Sequence, residues 1–197
     1  MAVVKGLNMK KWLIGCLLLW VIAPVVRGQA VGPKEKMKAV PVQKVDARPD
    51  DVSSIEAIVK ASYETISGGA GVRRQWGRDE SLFDPNVRFV AVERDPKSGA
   101  IVAMITTHEE FVDGTDASLV KDGFTERELG QKIERYGNVA TVLSSYEGKN
   151  ASTGKVVTRG VNIFQLYFDG KRWWILSMVW DQETPANPIP PELLPKS

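Results

Sequence analysis

Gly160-Val161-Asn162-Ile163-Phe164-Gln165-Leu166-Tyr167-Phe168-Asp169-Gly170-Lys171-Arg172-Trp173-Trp174-Ile175-Leu176-Ser177-Met178-Val179-Trp180 is two β-rich runs joined by Asp-Gly. Asp-Gly suits a tight hairpin turn because both central residues tolerate positive φ, and the β-branched and aromatic flanks favour a pleated surface. A two-residue loop at Asp169 and Gly170 pairs Phe168 with Lys171, Leu166 with Trp173, Phe164 with Ile175 and Asn162 with Ser177. The opposite face then carries Tyr167, Gln165, Ile163 and Val161 against Arg172, Trp174, Leu176 and Met178, with Trp180 following. Both faces are mainly apolar, so the hairpin calls for two covers: helices on one side and another subunit on the other.

Upstream, the pattern alternates between helix and strand signals. Ser53 or Ser54 can cap a helix in which Ile55, Ile58, Val59, Ser62, Tyr63 and Ile66 share a face, and Ser67-Gly68-Gly69 stops it. A shorter helical piece is expected to hold Val72 and Trp76 through Leu82 and Phe83, followed by a turn at Asp84-Pro85-Asn86 and strands at 87–92 and 100–105. Thr107-His108-Glu109-Glu110 is a capping-box sequence opening a third helix to about Val120. Strands at 124–133 and 139–147 precede the hairpin. The whole is an α+β domain: a cone-shaped, curved antiparallel or mixed sheet covered on one face by about three helices.

The N-terminus reads differently. Lys10-Lys11, the apolar run from Trp12 to Val26 and the small-residue end Gly28-Gln29-Ala30 have the form of a secretory signal peptide cut after Ala30. The apolar run is short for a bilayer span, so no stable membrane anchor is expected after cleavage, and the protein is expected to be secreted or periplasmic. Residues 31–51 read as a flexible linker, 52–183 as the domain and 184–197 as an extended Pro-rich tail. Four of the 26 basic residues and none of the 24 acids fall within 1–30, so the remainder has a net charge of about −2 and shows no basic stripe for nucleic acid. Cys16, the single cysteine, also lies in this segment, which leaves the domain without a disulfide, a thiol nucleophile or a cysteine metal site.

Three pieces of sequence carry a resemblance: Leu82-Phe83-Asp84-Pro85-Asn86-Val87, Gly137-Asn138-Val139-Ala140, and Asp169-Gly170-Lys171-Arg172-Trp173-Trp174-Ile175. In this order and spacing they resemble the nuclear transport factor 2-like superfamily, in particular its bacterial SnoaL-like members. The resemblance covers roughly residues 52–183. It implies a cystatin-like α+β cone in which helices close over a bent sheet around a pocket, and a homodimer formed through the outer sheet face.

The chemistry-bearing residues are few. His108 is the single histidine, which excludes histidine-rich metal sites, and no Gly-x-Ser-x-Gly elbow accompanies it. It reads either as a solvated first-turn residue or as a pocket general base kept neutral by the helix N-terminus. The resemblance implies an acid raised towards neutrality in an apolar cone, for which Asp181, Glu183, Glu126 and Glu128 are the candidates. His108, Asp181 and Glu128 are thus the weak catalytic candidates. Tyr63 stands on the helix from which ketosteroid isomerases of this superfamily present a tyrosine, but two partner acids cannot be matched by motif. Tyr63, Trp76, Asn162, Gln165 and Ser177 are the expected pocket residues, with no metal and no cofactor.

The expected function is a small apolar or amphipathic molecule bound in the cone, without demonstrable catalysis. The alternatives are an enzyme of the isomerase, cyclase or dehydratase type and a structural dimeric module whose own aromatics fill the pocket.

Overall fold

The computed structural model describes residues 39–195. The expected signal peptide, Cys16 and the cut after Ala30 lie outside the described residues. The elements run α1 (Pro49–Val52), α2 (Ile55–Thr65), α3 (Trp76–Glu80), β1 (Phe83–Arg94), β2 (Ile101–Thr106), α4 (His108–Asp122), β3 (Phe124–Tyr136), β4 (Val139–Asn150), β5 (Val156–Phe168) and β6 (Trp173–Gln182), and a 3-10 turn at Pro191–Leu193 follows. The six strands form one sheet in the order β2-β1-β6-β5-β4-β3. Only β1 and β6 pair in parallel, so the sheet is mixed.

Local chemistry explains the helices. Ser54 caps α2, its hydroxyl accepting from the Ala57 amide at 3.1 Å. The α2 face bearing Ile55, Ile58, Val59 and Tyr63 is buried against a core that includes Val142, Phe164 and Ile175. Thr107 and Glu110 form the expected capping box on α4. α3 is only five residues long, because Leu82 and Phe83 leave the helix and the chain enters β1 at Phe83. The Asp84-Pro85-Asn86 turn expected there is therefore absorbed into the first, irregular part of a long strand. Arg78 joins α3 to its neighbours, donating from Nε and Nη2 to the Asp51 carboxylate at 2.7 Å each and from Nη2 to Glu64 at 2.8 Å. Both carboxyls are held below their ordinary range, chiefly by hydrogen bonds, from Arg78 for Asp51 and from Lys60 and Arg78 for Glu64.

The β5–β6 hairpin exists, but with a different register. Its loop has four residues, 169–172, and Phe168 pairs with Trp173. Asp169 causes this: its Oδ1 accepts from the amides of Lys171 and Arg172 at 2.8 and 2.9 Å, a side-chain turn that replaces the tighter backbone turn. Leu176 then bulges, so that Leu166 opposes Ile175 while Gln165 opposes Ser177. Beyond the bulge the faces exchange. Asn162 pairs with Trp180, not with Ser177; Met178 and Trp180 pack against the core, and Ser177 turns to the outer face.

Residues 39–48, within the expected linker, lie along the domain, and the Val40 amide donates to Asp113 of α4 at 2.7 Å. The Pro-rich tail also docks. Ile189 and Leu193 are buried, and the Ser145 hydroxyl donates to the Leu193 carbonyl. Ser144 faces α2, so its neighbour Ser145 points outward, and the tail therefore crosses the outer sheet face over the paired residues Gly130 and Ser145. A Cβ at Gly130 would meet the Leu193 carbonyl oxygen at 2.6 Å, which makes glycine necessary for this approach.

Gly130→Val is expected to lift the tail, costing about 1 to 3 kcal/mol, which thermal unfolding would register as a lowered midpoint. Limited proteolysis should then cut within 184–195 faster than in wild type while the sheet stays resistant. Equal tail protection in the two proteins would refute the strap.

Candidate functional site

The inner face of the sheet carries polar side chains where an ordinary core would be apolar. Glu126 and Glu128 on β3, Ser144 and Tyr146 on β4 and Asn162 on β5 share that face beneath Tyr63 of α2. Tyr63 and Asn162 are each 4 % exposed and Ser144 is fully buried. Their hydrogen bonds run in one direction. Asn162 Nδ2 donates to the Tyr63 oxygen at 3.1 Å, and Ser144 Oγ donates to Glu128 Oε1 at 2.6 Å. Because the single serine proton is committed to Glu128, the 2.7 Å contact between Tyr63 and Ser144 is donated by the phenol.

Glu126, part-buried, lies on the same face beside Asn162. Burial raises its carboxyl to about 8, and a hydrogen bond from Asn162 offsets only part of that rise. Burial likewise pushes the Tyr63 phenol up, with a second push from the charge of Glu126. Tyr146, also beside Glu126, is raised to about 12, again mainly by burial. At neutral pH the cluster therefore holds two un-ionised phenols and a largely protonated carboxylic acid, a set that recognises oxygen functions of a neutral molecule. Glu128 is half-buried and its carboxyl is raised by burial, making it the outward end of the chain. Ser67 ties α2 to the same strand, accepting from the Glu126 amide at 2.8 Å.

His108 belongs to another place. Its Nε2 lies 2.8 Å from Oδ2 of Asp79, which is 1 % exposed and accepts the Thr65 hydroxyl on Oδ1. The ring is flanked by Phe83 and Phe89, at centroid distances of 5.6 and 5.8 Å. His108 is therefore not the solvated first-turn residue of the simpler reading.

The remaining expectations separate. Trp76 lines a groove of about 1090 Å³ between residues 39–48, α3 and α4, and its Nε1 donates to Asp116 at 2.6 Å. Gln165 and Ser177 bond each other at 3.1 Å on the outer face, away from Tyr63, because the bulge at Leu176 rotates Ser177 outward and Gln165 alternates with the buried Phe164 and Leu166. Asp181 is exposed and pairs with Val161 on that same face, so it is not a cone acid. Of the residues nominated from the sequence the structure joins Tyr63, Asn162, Glu126 and Glu128, adds Ser144 and Tyr146, and leaves Trp76, Gln165, Ser177, Asp181 and His108 elsewhere. Among the described residues no group of three or more His, Cys, Asp or Glu could hold a metal ion.

The chain matches no protein-family model, and no curated protein matches it in sequence. Solved structures do match in shape. A protein of unknown function with a cystatin-like fold from Nostoc punctiforme superposes with a TM-score of 0.51 at 10 % identity, over 74 % of this chain and 100 % of that one. An NTF2-like protein of unknown function from Methylobacillus flagellatus gives 0.45 at 15 % identity, over 72 % and 98 %. A Mycobacterium tuberculosis protein of unknown function gives 0.49 at 18 % identity, over 69 % and 79 %.

The fold is cystatin-like.

In this cystatin-like fold the acids on β3 were the least legible part of the site. Glu126 and Glu128 stand in Phe124-Thr125-Glu126-Arg127-Glu128, where every second residue is charged or polar on either face, so alternation alone does not say which face is inward. Pairing with β4, whose Val142, Ser144 and Tyr146 are buried, is what turns them inward.

The raised Glu126 carboxyl has a defined consequence for stability. The unfolded chain loses this proton near 4.5 and the folded one near 8, so the acid's stabilising contribution is fully present below about pH 4.5 and lost as pH rises to about 8. The decline should approach about 4 kcal/mol if fully expressed. Chemical denaturation across pH 5 to 8.5 should show this slope in wild type and a flatter one in Glu126→Gln. Identical slopes would remove the buried acid from the account.

Proposed function

We propose that this protein binds a small amphipathic organic molecule in its cone, with the molecule's oxygen function against Glu126, Tyr63 and Asn162 and its apolar part against the α2 side of the core. The observation that carries the reading is the part-buried Glu126 beside Tyr63 and Tyr146, its carboxyl raised to about 8. Partly burying a carboxyl costs stability, and among the described residues this one has no ion pair to neutralise it, as a structural acid such as Asp51 has. Access would lie on the Glu128 side, between α2 and β3.

The same acid favours a second reading, a proton-transfer enzyme of the isomerase, cyclase or dehydratase type, because a carboxyl near 8 can give and take a proton at neutral pH. The near-complete burial of Tyr63, Ser144 and Asn162 favours the third reading, a module filled by its own side chains. We also read the protein as exported, from the basic and apolar N-terminal pattern, and as a homodimer. The dimer reading is supported by outer-face Ile163 and Leu176, 38 % and 43 % exposed beside the stacked Tyr167 and Trp174.

Native mass spectrometry of the full chain purified from its host should show a retained small molecule that Glu126→Gln loses or holds at least tenfold more weakly. A mass equal to the bare polypeptide in both proteins would support the filled module instead. For the dimer, Ile163→Asp and Leu176→Asp are expected to halve the mass measured by light scattering; unchanged mass in both would refute that face.

A further inference from the structure

A second pocket, outside the cone, borders His108. It has a volume of about 260 Å³ and walls that include Phe83, Val87 and Trp174, with His108 and Arg172 as its partly buried bases. Two features of its polar groups point to a ligand.

The first is the histidine. Nε2 of His108 faces Oδ2 of Asp79 at 2.8 Å, the geometry of an Nε2–H donating to the carboxylate, while Thr65 fills the other carboxylate oxygen. In the neutral form of the ring this tautomer presents Nδ1 as an acceptor, and Nδ1 has no hydrogen-bond partner among the described residues. Asp79 acts here as a positioning residue: it fixes the tautomer and the ring plane on a ring already clamped by Phe83 and Phe89.

The second is the arginine. The Arg172 guanidinium lies 3.5 Å over the Trp174 ring, Nε donates to the Trp173 carbonyl at 3.1 Å, and Nη2 donates to the Ser81 carbonyl at 2.6 Å. Its polar partners are neutral carbonyls, and it makes no ion pair among the described residues, unlike Arg78. Nη1 is left for another acceptor. The acids around the pocket have other partners or stand at its edge: Glu80 pairs with Lys44 at 3.2 Å, Asp84 accepts the Tyr167 hydroxyl at 2.7 Å, Asp46 is exposed at the rim, and Asp169, which acts on Arg172 electrostatically, accepts Trp174 Nε1 at 2.8 Å. A cation stacked on an aromatic ring, with Asp169 acting on it electrostatically but no carboxylate in direct contact, keeps a donor free for an anionic partner.

We propose that this pocket binds a small hydroxycarboxylate, its carboxylate on Arg172 and its hydroxyl donating to Nδ1 of His108. The volume sets the size, since 260 Å³ is below the range of drug-sized ligands, and the aromatic and aliphatic walls suit a compact ring or short chain between the two polar groups. The site is independent of Glu126, so either can fail without the other.

Because His108 is the single histidine, its ring gives one unambiguous set of nitrogen resonances. The full chain, purified without a histidine tag, is titrated with 4-hydroxybenzoate at constant ionic strength while those resonances are followed. The expected result is a saturable shift, weakened at least tenfold in Arg172→Gln and by methyl esterification of the probe. Arg172→Lys, which keeps the charge and loses the fork, should be intermediate and guards against a misfolded Gln variant. An unshifted ring, equal titration of wild type and both variants, or equal binding of the methyl ester would each overturn the proposal.

Discussion

The docking of α2 into the concave face of the sheet is the contact on which the rest of the molecule depends. Ile58 and Val59 are completely buried, and they meet the strand residues Val142, Phe164 and Ile175 in a single core. Burial of that many large apolar side chains is the dominant favourable term available to a domain of this size. Fixing α2 at that depth has a polar consequence. Tyr63, on the same helical face, is carried down onto Ser144 and Asn162, and its hydroxyl has to be satisfied there. The polar cluster is thus a product of apolar packing, and its geometry is as rigid as the core that places it.

Glu126 is the costly member of that cluster. Three treatments of a buried or part-buried acid appear side by side in this protein. Asp51 is neutralised by Arg78 and held ionised, so it fastens α1 to α3. Glu126 has only an amide and two phenols near it, and it keeps its proton instead. Asp79 is a third case, buried and compensated by a threonine hydroxyl and an imidazole. The first arrangement holds elements together; the other two leave a group whose proton or hydrogen-bonding capacity is available to a ligand.

The outer face of the sheet is shaped by the chain's own end. The tail covers the strip at Gly130 and Ser145, where β3 also bulges, and leaves Ile163 and Leu176 uncovered. A continuous apolar surface is thereby divided, which limits where a second copy could seat.

Periodicity and caps by themselves determined the order of the main helices and strands. Ser54 and the Ile55, Ile58, Val59 face defined α2, Thr107 with Glu110 defined the start of α4, and the hairpin runs identified β5 and β6. These signals are local, because a helix face or a cap is complete within a few residues. Tertiary structure alone decided what depends on register and on distant partners. One bulge at Leu176 moved Ser177 out and Trp180 in, and a side-chain turn at Asp169 lengthened the loop. Neither is visible in alternation, since a bulge changes the face of every following residue without changing their spacing. Asp79 and His108 are 29 residues apart, and Tyr63 and Asn162 are 99 apart. Only folding brings such groups together, so the candidate sites could be nominated residue by residue from the sequence but assembled only by the packing of α2 and α4 on the sheet.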